Sequence, residues 1–376
     1  MAYSQTLAEI KQAVLKEAQP LFYEIEEAAE TNTLKVLTAM REARVSEAHF
    51  TTTSGYAYDD IGRQKLDELY AAVFGAEKAL VRTQFVSGTH ALATVLFGIL
   101  RPGDELLSVT GAPYDTMQTV IGYAHPCSGS LKEFGVRYNE VALCAGKIDF
   151  SALRKAVTRQ TKVALLQRSR GYSLRPPLTL DDISQACQII KATNPNCICF
   201  VDNCYGEFVD TREPTEVGAD VIAGSLIKNP GGGITPTGGY IAGKASLVES
   251  ASYRLTAPGI GAELGASLEN NRLLFEGIFL APHVVSQALK GAIFAAGVFY
   301  KLGYTVSPEP LERRGDIIQA IELGTPEKLK AFCGGLQKYS PVDSFAAGTV
   351  GYAGLCGSDH YGSGNLCSRR FHRAER

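Results

Sequence analysis

The sequence predicts an α/β protein, with a mostly parallel sheet in a large domain and a smaller α+β domain after it. Three observations point there. Short apolar runs bounded by polar or turn residues alternate with helix-patterned stretches from residue 79 to residue 243. A Gly- and Pro-rich loop, KNPGGGITPTGG, separates the last two runs, and a long helical pattern over 266–300 gives way to a different texture after Pro308. Strands alternating with helices imply parallel pairing with both sheet faces covered.

The elements follow in order. Residues 1–50 are rich in Glu, Ala, Lys and Leu, contain no Gly and one Pro, and read as one or two surface helices forming an N-terminal arm. TTTSGYAYDDIGR is a Gly and Tyr loop, and the helix after it repeats Leu66, Leu69, Val73 and Phe74 at helical intervals. ALVRTQFV reads as a strand, SGTHALATVLFGIL as a helix, DELLSVT as a strand and MQTVIGYA as a helix. KVALLQRS, CICFVDN, ADVIAGS and the returning GGYIAG supply four more strands. The expected division is an arm over 1–50, a large domain over 51–300, a partial small domain over 301–345 and an aberrant tail over 346–376.

The chain has 376 residues, 45% of them hydrophobic, enough for two domains, since single cores stop growing near ~250–300 residues. Lys+Arg 37 against Asp+Glu 39 leaves no positive surplus for nucleic acid or an anionic membrane. No run reaches the ~18–20 consecutive apolar residues of a membrane span, and the N-terminus has no apolar signal core, so a cytoplasmic protein is expected. Nine scattered cysteines without a CxxC pair read as reduced structural thiols, and no metal site is expected.

One lysine stands apart. Lys228 in SLIKNPGGG follows a strand and precedes glycines that break any helix and let a ligand approach the backbone. Enzymes that bind pyridoxal phosphate need such a lysine, a carboxylate at the pyridine nitrogen and a phosphate cup. Asp202 ends the strand CICFVDN at the carboxyl edge of the sheet, where open α/β folds bind ligands, although alone it reads equally as a cap of the next turn. Ser87, Gly88, Thr89 and His90 open a helix directly after a strand, where free N–H groups and the dipole favour an anion. Simple capping by Ser87 or Thr89 is the commoner outcome for such a loop. Ser225, three positions before Lys228, adds a hydroxyl.

The order and spacing of these pieces match fold-type I pyridoxal-phosphate enzymes. The text further resembles the methionine gamma-lyase family of bacterial proteins, also called the aluminium resistance protein family, from near Ala8 to about Phe345. SGYAYDDIGR, VRTQFVSGTHAL, LRPGDELLSVTGAPYDT, GSLKEFGVRY, FVDNCYGEF, AGSLIKNPGGGITPTGGYIAG and TAPGIGAELG carry the resemblance. It implies pyridoxal phosphate on Lys228, with Asp202 as pyridinium partner and Ser87, Gly88, Thr89 and Ser225 as phosphate contacts. Tyr114 in GAPYDT is implied as the aromatic stacked on the cofactor ring, a half-buried sheet-edge tyrosine being the plain alternative. Related lyases complete the phosphate site with a Tyr and an Arg of a neighbouring subunit, for which Tyr56, Tyr58 and Arg63 are candidates, a solvated loop arginine being the alternative. Gln167 and Arg168, ending KVALLQRS, are expected to face the cleft as substrate contacts, unless Arg168 pairs with a surface carboxylate.

The implied activity is a carbon–sulfur lyase acting on a small-molecule sulfur amino acid, in a homodimer or homotetramer. An aminotransferase, an amino acid aldolase or a catalytically silent stress-response protein remain the alternatives. The last ~30 residues abandon the family pattern for Gly, Ser, Cys and Arg without apolar periodicity. With permitted codons, one nucleotide string encodes both this tail and, one base over, a family-like text beginning PEPWDMPGYADQ. A frameshift truncating the small domain near Phe345, and with it the substrate-carboxylate arginine of related lyases, is therefore expected.

Overall fold

The computed structural model describes residues 5–56, 60–124, 126–171, 173–342, 344 and 345. The chain opens with helix α1 (Gln5–Glu42), α2 (Ile61–Val73), strand β1 (Lys78–Arg82) and α3 (Gly88–Ile99). Then come β2 (Glu105–Ser108), α4 (Asp115–Ile121), β3 (Arg137–Glu140), α5 (Phe150–Ala156), β4 (Thr161–Gln167) and α6 (Leu180–Thr193). β5 (Ile198–Asp202), β6 (Val221–Ser225), β7 (Gly239–Gly243), α7 (Ala245–Leu255) and α8 (Asn271–Lys301) complete the large layer structure. A short annex follows: β8 (Thr305–Ser307), β9 (Ala320–Glu322) and α9 (Pro326–Tyr339).

The seven-stranded sheet has the order β1-β7-β6-β5-β4-β2-β3. β2, β3, β4, β5 and β6 pair in parallel, while β7 runs antiparallel to both of its neighbours, so β1 again points the same way as β6. β7 reverses because the connection 226–238 holds no crossover helix, which a parallel return would need. That loop carries Lys228 and therefore lies at the carboxyl edge, beside the ends of β1, β4, β5 and β6.

Alternation along each strand feeds two cores. Cys199 and Val201 of β5 face one cluster with α1, α2, α6 and α8, whereas Ile198 and Phe200 face another with α3 and α7. The helices form where expected for local reasons. Ser87 caps α3 by accepting the His90 N–H at 3.1 Å, and Thr179 with Asp182 closes a reciprocal capping box at the start of α6.

The arm is a single helix to Glu42, and it is not purely a surface element. Val14, Ala18, Val36 and Ala39 are buried, and the Asn32 amide donates to the Phe208 and Asp210 carbonyls at 3.2 and 3.0 Å. By length and composition α8 could cross a bilayer. Its apolar stripe of Leu274, Phe275, Ile278, Ala281, Val285 and Leu289 packs inside the protein instead. Strand β3 and helices α5, α6 and α7 are additional to the sequence expectation, their signals being short or flanked by long loops. The annex is tied to the sheet through Asp316, which accepts from Ser169 Oγ at 2.8 Å and the Arg170 N–H at 2.9 Å. The expected tail over 346–376 lies outside the described residues.

Candidate active site

At the carboxyl edge, Gln167 of β4 and Asp202 of β5 stand in register, and Ser225 ends β6 next door. The turn after β5 brings two further groups into the same space. The Cys204 N–H donates to Asp202 Oδ1 at 3.1 Å, and the Tyr205 ring lies 4.0 Å from Lys228 Nζ, with Tyr205 itself in the left-handed region at φ 69°. A Cβ built on Gly88 would lie 3.2 Å from Ser225 Cβ, 3.4 Å from Cys204 Sγ and 3.9 Å from Lys228 Nζ. Thus Gly88, Ser225, Cys204 and Lys228 share one pocket floor, and glycine at 88 keeps it open.

Above that floor sits the start of α3. The His90 N–H goes to Ser87 Oγ and the Ala91 N–H to Ser87 O, so the two leading N–H groups, of Gly88 and Thr89, have no partner inside the helix. Thr89 Oγ1 is 2.9 Å from the Tyr114 hydroxyl, and the Tyr114 N–H donates to Gln167 Oε1 at 3.1 Å. The Ser225 hydroxyl is buried and has no hydrogen-bond partner among the described residues.

The electrostatics are set by dryness. Burial pushes the Asp202 carboxyl up, and Lys228 pulls it back down. Burial by itself would lower Lys228, but Cys204, Tyr205 and Asp202 outweigh it, leaving the ammonium above its ordinary value. The Cys204 thiol is itself driven up by burial and by Asp202. Burial, with Asp202 next, also raises Tyr114, so its hydroxyl keeps its proton. His90 is lowered by burial and is neutral near pH 7.

Of the residues singled out in the sequence, Ser87, Gly88, Thr89, Tyr114, Gln167, Asp202, Ser225 and Lys228 come together here. Arg168 does not. Next to Gln167 on an extended chain, it points to the opposite sheet face, fully buried, with Asn203 Oδ1 at 2.9 Å, Asp210 at 3.0 Å and Glu213 at 3.4 Å. Gly206 makes room for it, because a Cβ there would meet Arg168 Cδ at 2.4 Å. Arg63 is buried at the start of α2, its guanidinium donating to the Gly265 and Glu263 carbonyls rather than to a group of the pocket floor among the described residues. Tyr56 is 86% exposed, and Tyr58 lies outside the described residues. Cys204, Tyr205 and Glu207 were not singled out. Their signal was present in DNCYGE, where a turn directly after a strand-end acid must fold back over the edge.

The methionine gamma-lyase family profile matches residues 7–354. The uncharacterized protein YnbB of Bacillus subtilis (strain 168) is 52% identical over 323 residues, covering 85% of this chain and 77% of that protein. The L-methionine gamma-lyase of Pseudomonas putida is 28% identical over 230 residues, 60% of this chain and 52% of that enzyme. A carbon-sulfur lyase involved in aluminium resistance from Clostridium novyi NT superposes with a TM-score of 0.89 at 48% identity, over 91% of this chain and 82% of the other. The pyridoxal-5'-phosphate dependent protein YhfS of Escherichia coli, at 18% identity and a TM-score of 0.59 over 84% of this chain and 80% of the other, shares the fold.

Proposed function

Because this chain belongs to the methionine gamma-lyase family, we propose that it is a pyridoxal-phosphate-dependent carbon–sulfur lyase acting on a sulfur-containing amino acid. Family membership supports a lyase, and pyridoxal phosphate is the cofactor that the family and the structural neighbours imply. The observation that carries the reading is the convergence of Lys228, Asp202, Gly88 and the unpartnered Ser225 hydroxyl on one dry floor.

The residues fit the cofactor. The Lys228 amine would be the attachment point, Asp202 would partner the pyridine nitrogen, and Tyr114 would supply the aromatic face against the ring. The Gly88 and Thr89 N–H groups at the positive end of α3, with Ser225 Oγ, hold the phosphate. When bound, pyridoxal phosphate supplies an electron sink for the charge that develops at the substrate Cα. The Lys228 amine would be the group positioned to take up and hold the substrate Cα proton within the pocket. Tyr114, whose hydroxyl is kept protonated, donates to the departing thiolate. Asp202 would be the partner of the ring proton, with the Lys228 ammonium opposing the rise that burial causes.

Loading the purified chain with pyridoxal phosphate, reducing with borohydride and mapping peptides tests the site. The expected result is a yellow protein with the adduct on Lys228. An adduct on another lysine, or a chain that stays colourless, would overturn it. Release of thiol together with a 2-oxo acid from L-methionine or L-cystathionine is the expected activity, and transfer of the amino group without thiol would make it an aminotransferase.

A further inference from the structure

Beside the site, where the exit of β4 meets the annex, three arginines are buried against too little negative charge. Arg170, Arg175 and Arg314 are 1%, 8% and 7% exposed. Their hydrogen-bond partners are neutral. Arg170 donates to Ser307 and to the Leu174 carbonyl, Arg175 to the carbonyls of Gln167 and Ser169 at 2.6 Å and of Pro176 at 2.9 Å, and Arg314 to Gln319 Oε1 at 2.7 Å. Asp316 is the buried acid among them, and its oxygens already accept from Ser169 Oγ, the Arg170 N–H and the Ile318 N–H. Glu312 also acts on Arg170 and Arg314 but is exposed.

Three donors in this cluster, Arg170 Nε, Arg314 Nε and Arg314 Nη1, are buried with no acceptor. An unmet buried N–H is costly, more so when charged, so three in one place call for an anion. Burial pushes Arg175 and Arg314 down to about 10, the response of guanidiniums that lack sufficient counter-charge. The cluster also adjoins the pocket. Gln167, whose Oε1 takes the Tyr114 N–H, passes its amide to the Ser169 carbonyl, which Arg175 shares.

We propose that Arg314 and Arg170 form the positive wall of an oxyanion site that takes a carboxylate. Two sources share that chemistry: a free organic acid, and the α-carboxylate of the amino acid that occupies the neighbouring pocket. The second source rests on the lyase reading, while the site itself does not.

The test is thermal melting of the purified chain in acetate against chloride at matched ionic strength. A saturable rise in melting temperature with acetate is expected, and it should vanish in Arg314→Gln. No rise, or the same rise in Arg314→Gln, would overturn the proposal. If Arg314→Gln does not fold, Arg314→Lys is used, with acetate affinity measured by calorimetry. Loss of one charge-assisted hydrogen bond should weaken binding roughly tenfold or more, and unchanged affinity would overturn the site. Adding L-norvaline or L-norvalinamide separates the sources. Competition by norvaline alone assigns the site to the substrate carboxylate, and acetate binding indifferent to both assigns it to a free acid. Since melting requires no turnover, failure of the lyase assay and failure of this site are distinguishable.

Discussion

Asp202 and Glu207, five positions apart, are both buried carboxyls, and burial raises both. Asp202 is 5% exposed and has the Lys228 ammonium to oppose desolvation. Replacing it with Asn should leave melting nearly unchanged but lower turnover by about 10²-fold or more, because an amide cannot hold the ring proton. Unchanged turnover would remove Asp202 from the chemistry. Glu207 sits on the other sheet face, where the Tyr240 hydroxyl donates to its Oε1 at 2.9 Å and its Oε2 has no partner. Burial pushes it up to about 8, with Glu213 adding to the rise and Tyr240 and Lys228 opposing it. From its ordinary value to about 8, the native state thus keeps a proton that the unfolded chain releases. Stability should therefore fall as pH rises through that window, by about a few kcal/mol in total, and Glu207→Gln should flatten the slope. Parallel melting curves of the two proteins between pH 5 and about 8 would contradict this.

The α1–α8 crossing is decided by one missing side chain. A Cβ on Gly297 would lie 2.6 Å from Val14 Cγ1 and 3.1 Å from Cγ2, and a β-branched valine has little freedom to turn aside. Gly297→Ala should lower stability by about 1–2 kcal/mol despite its gain in helix propensity, because overpacking outweighs it. Gly291 on the same helix has nothing within 4 Å of the position a Cβ would take. Gly291→Ala should therefore raise stability by about 0.5–1 kcal/mol. Denaturant midpoints of the pair provide the check, and a matching sign would mean that the crossing tolerates wider spacing. Both glycines look alike in sequence, so the difference belongs to the packing of two distant helices.

On the scale of the whole molecule, apolar side chains remain uncovered around the site. Tyr56 is 86%, Val86 76% and Leu268 60% exposed, and Val86 directly precedes Ser87 at the start of α3. Large exposed apolar groups grouped at a functional edge mark a contact surface. The expected state is at least a homodimer with Tyr56 reaching the neighbouring cup, measured by light scattering. A monomer that still binds pyridoxal phosphate tightly would contradict it.

What the sequence determined by itself was whatever local pattern can encode. The β5 and β6 runs, the cap at Ser87 and the glycines after Lys228 announced the strand ends and the helix start, so Asp202, Ser225 and Lys228 could be placed on one sheet edge beforehand. Tertiary structure decided the rest. Arg168 faces away from the cleft because strand alternation assigns neighbours to opposite sides, and which side is the cleft depends on where α3 packs. Arg63 is held by carbonyls of Glu263 and Gly265, some 200 positions away, and the Arg170, Arg175 and Arg314 cluster exists only because the annex folds back on β4. Such groupings depend on the path of the whole chain, and no short window of residues contains it.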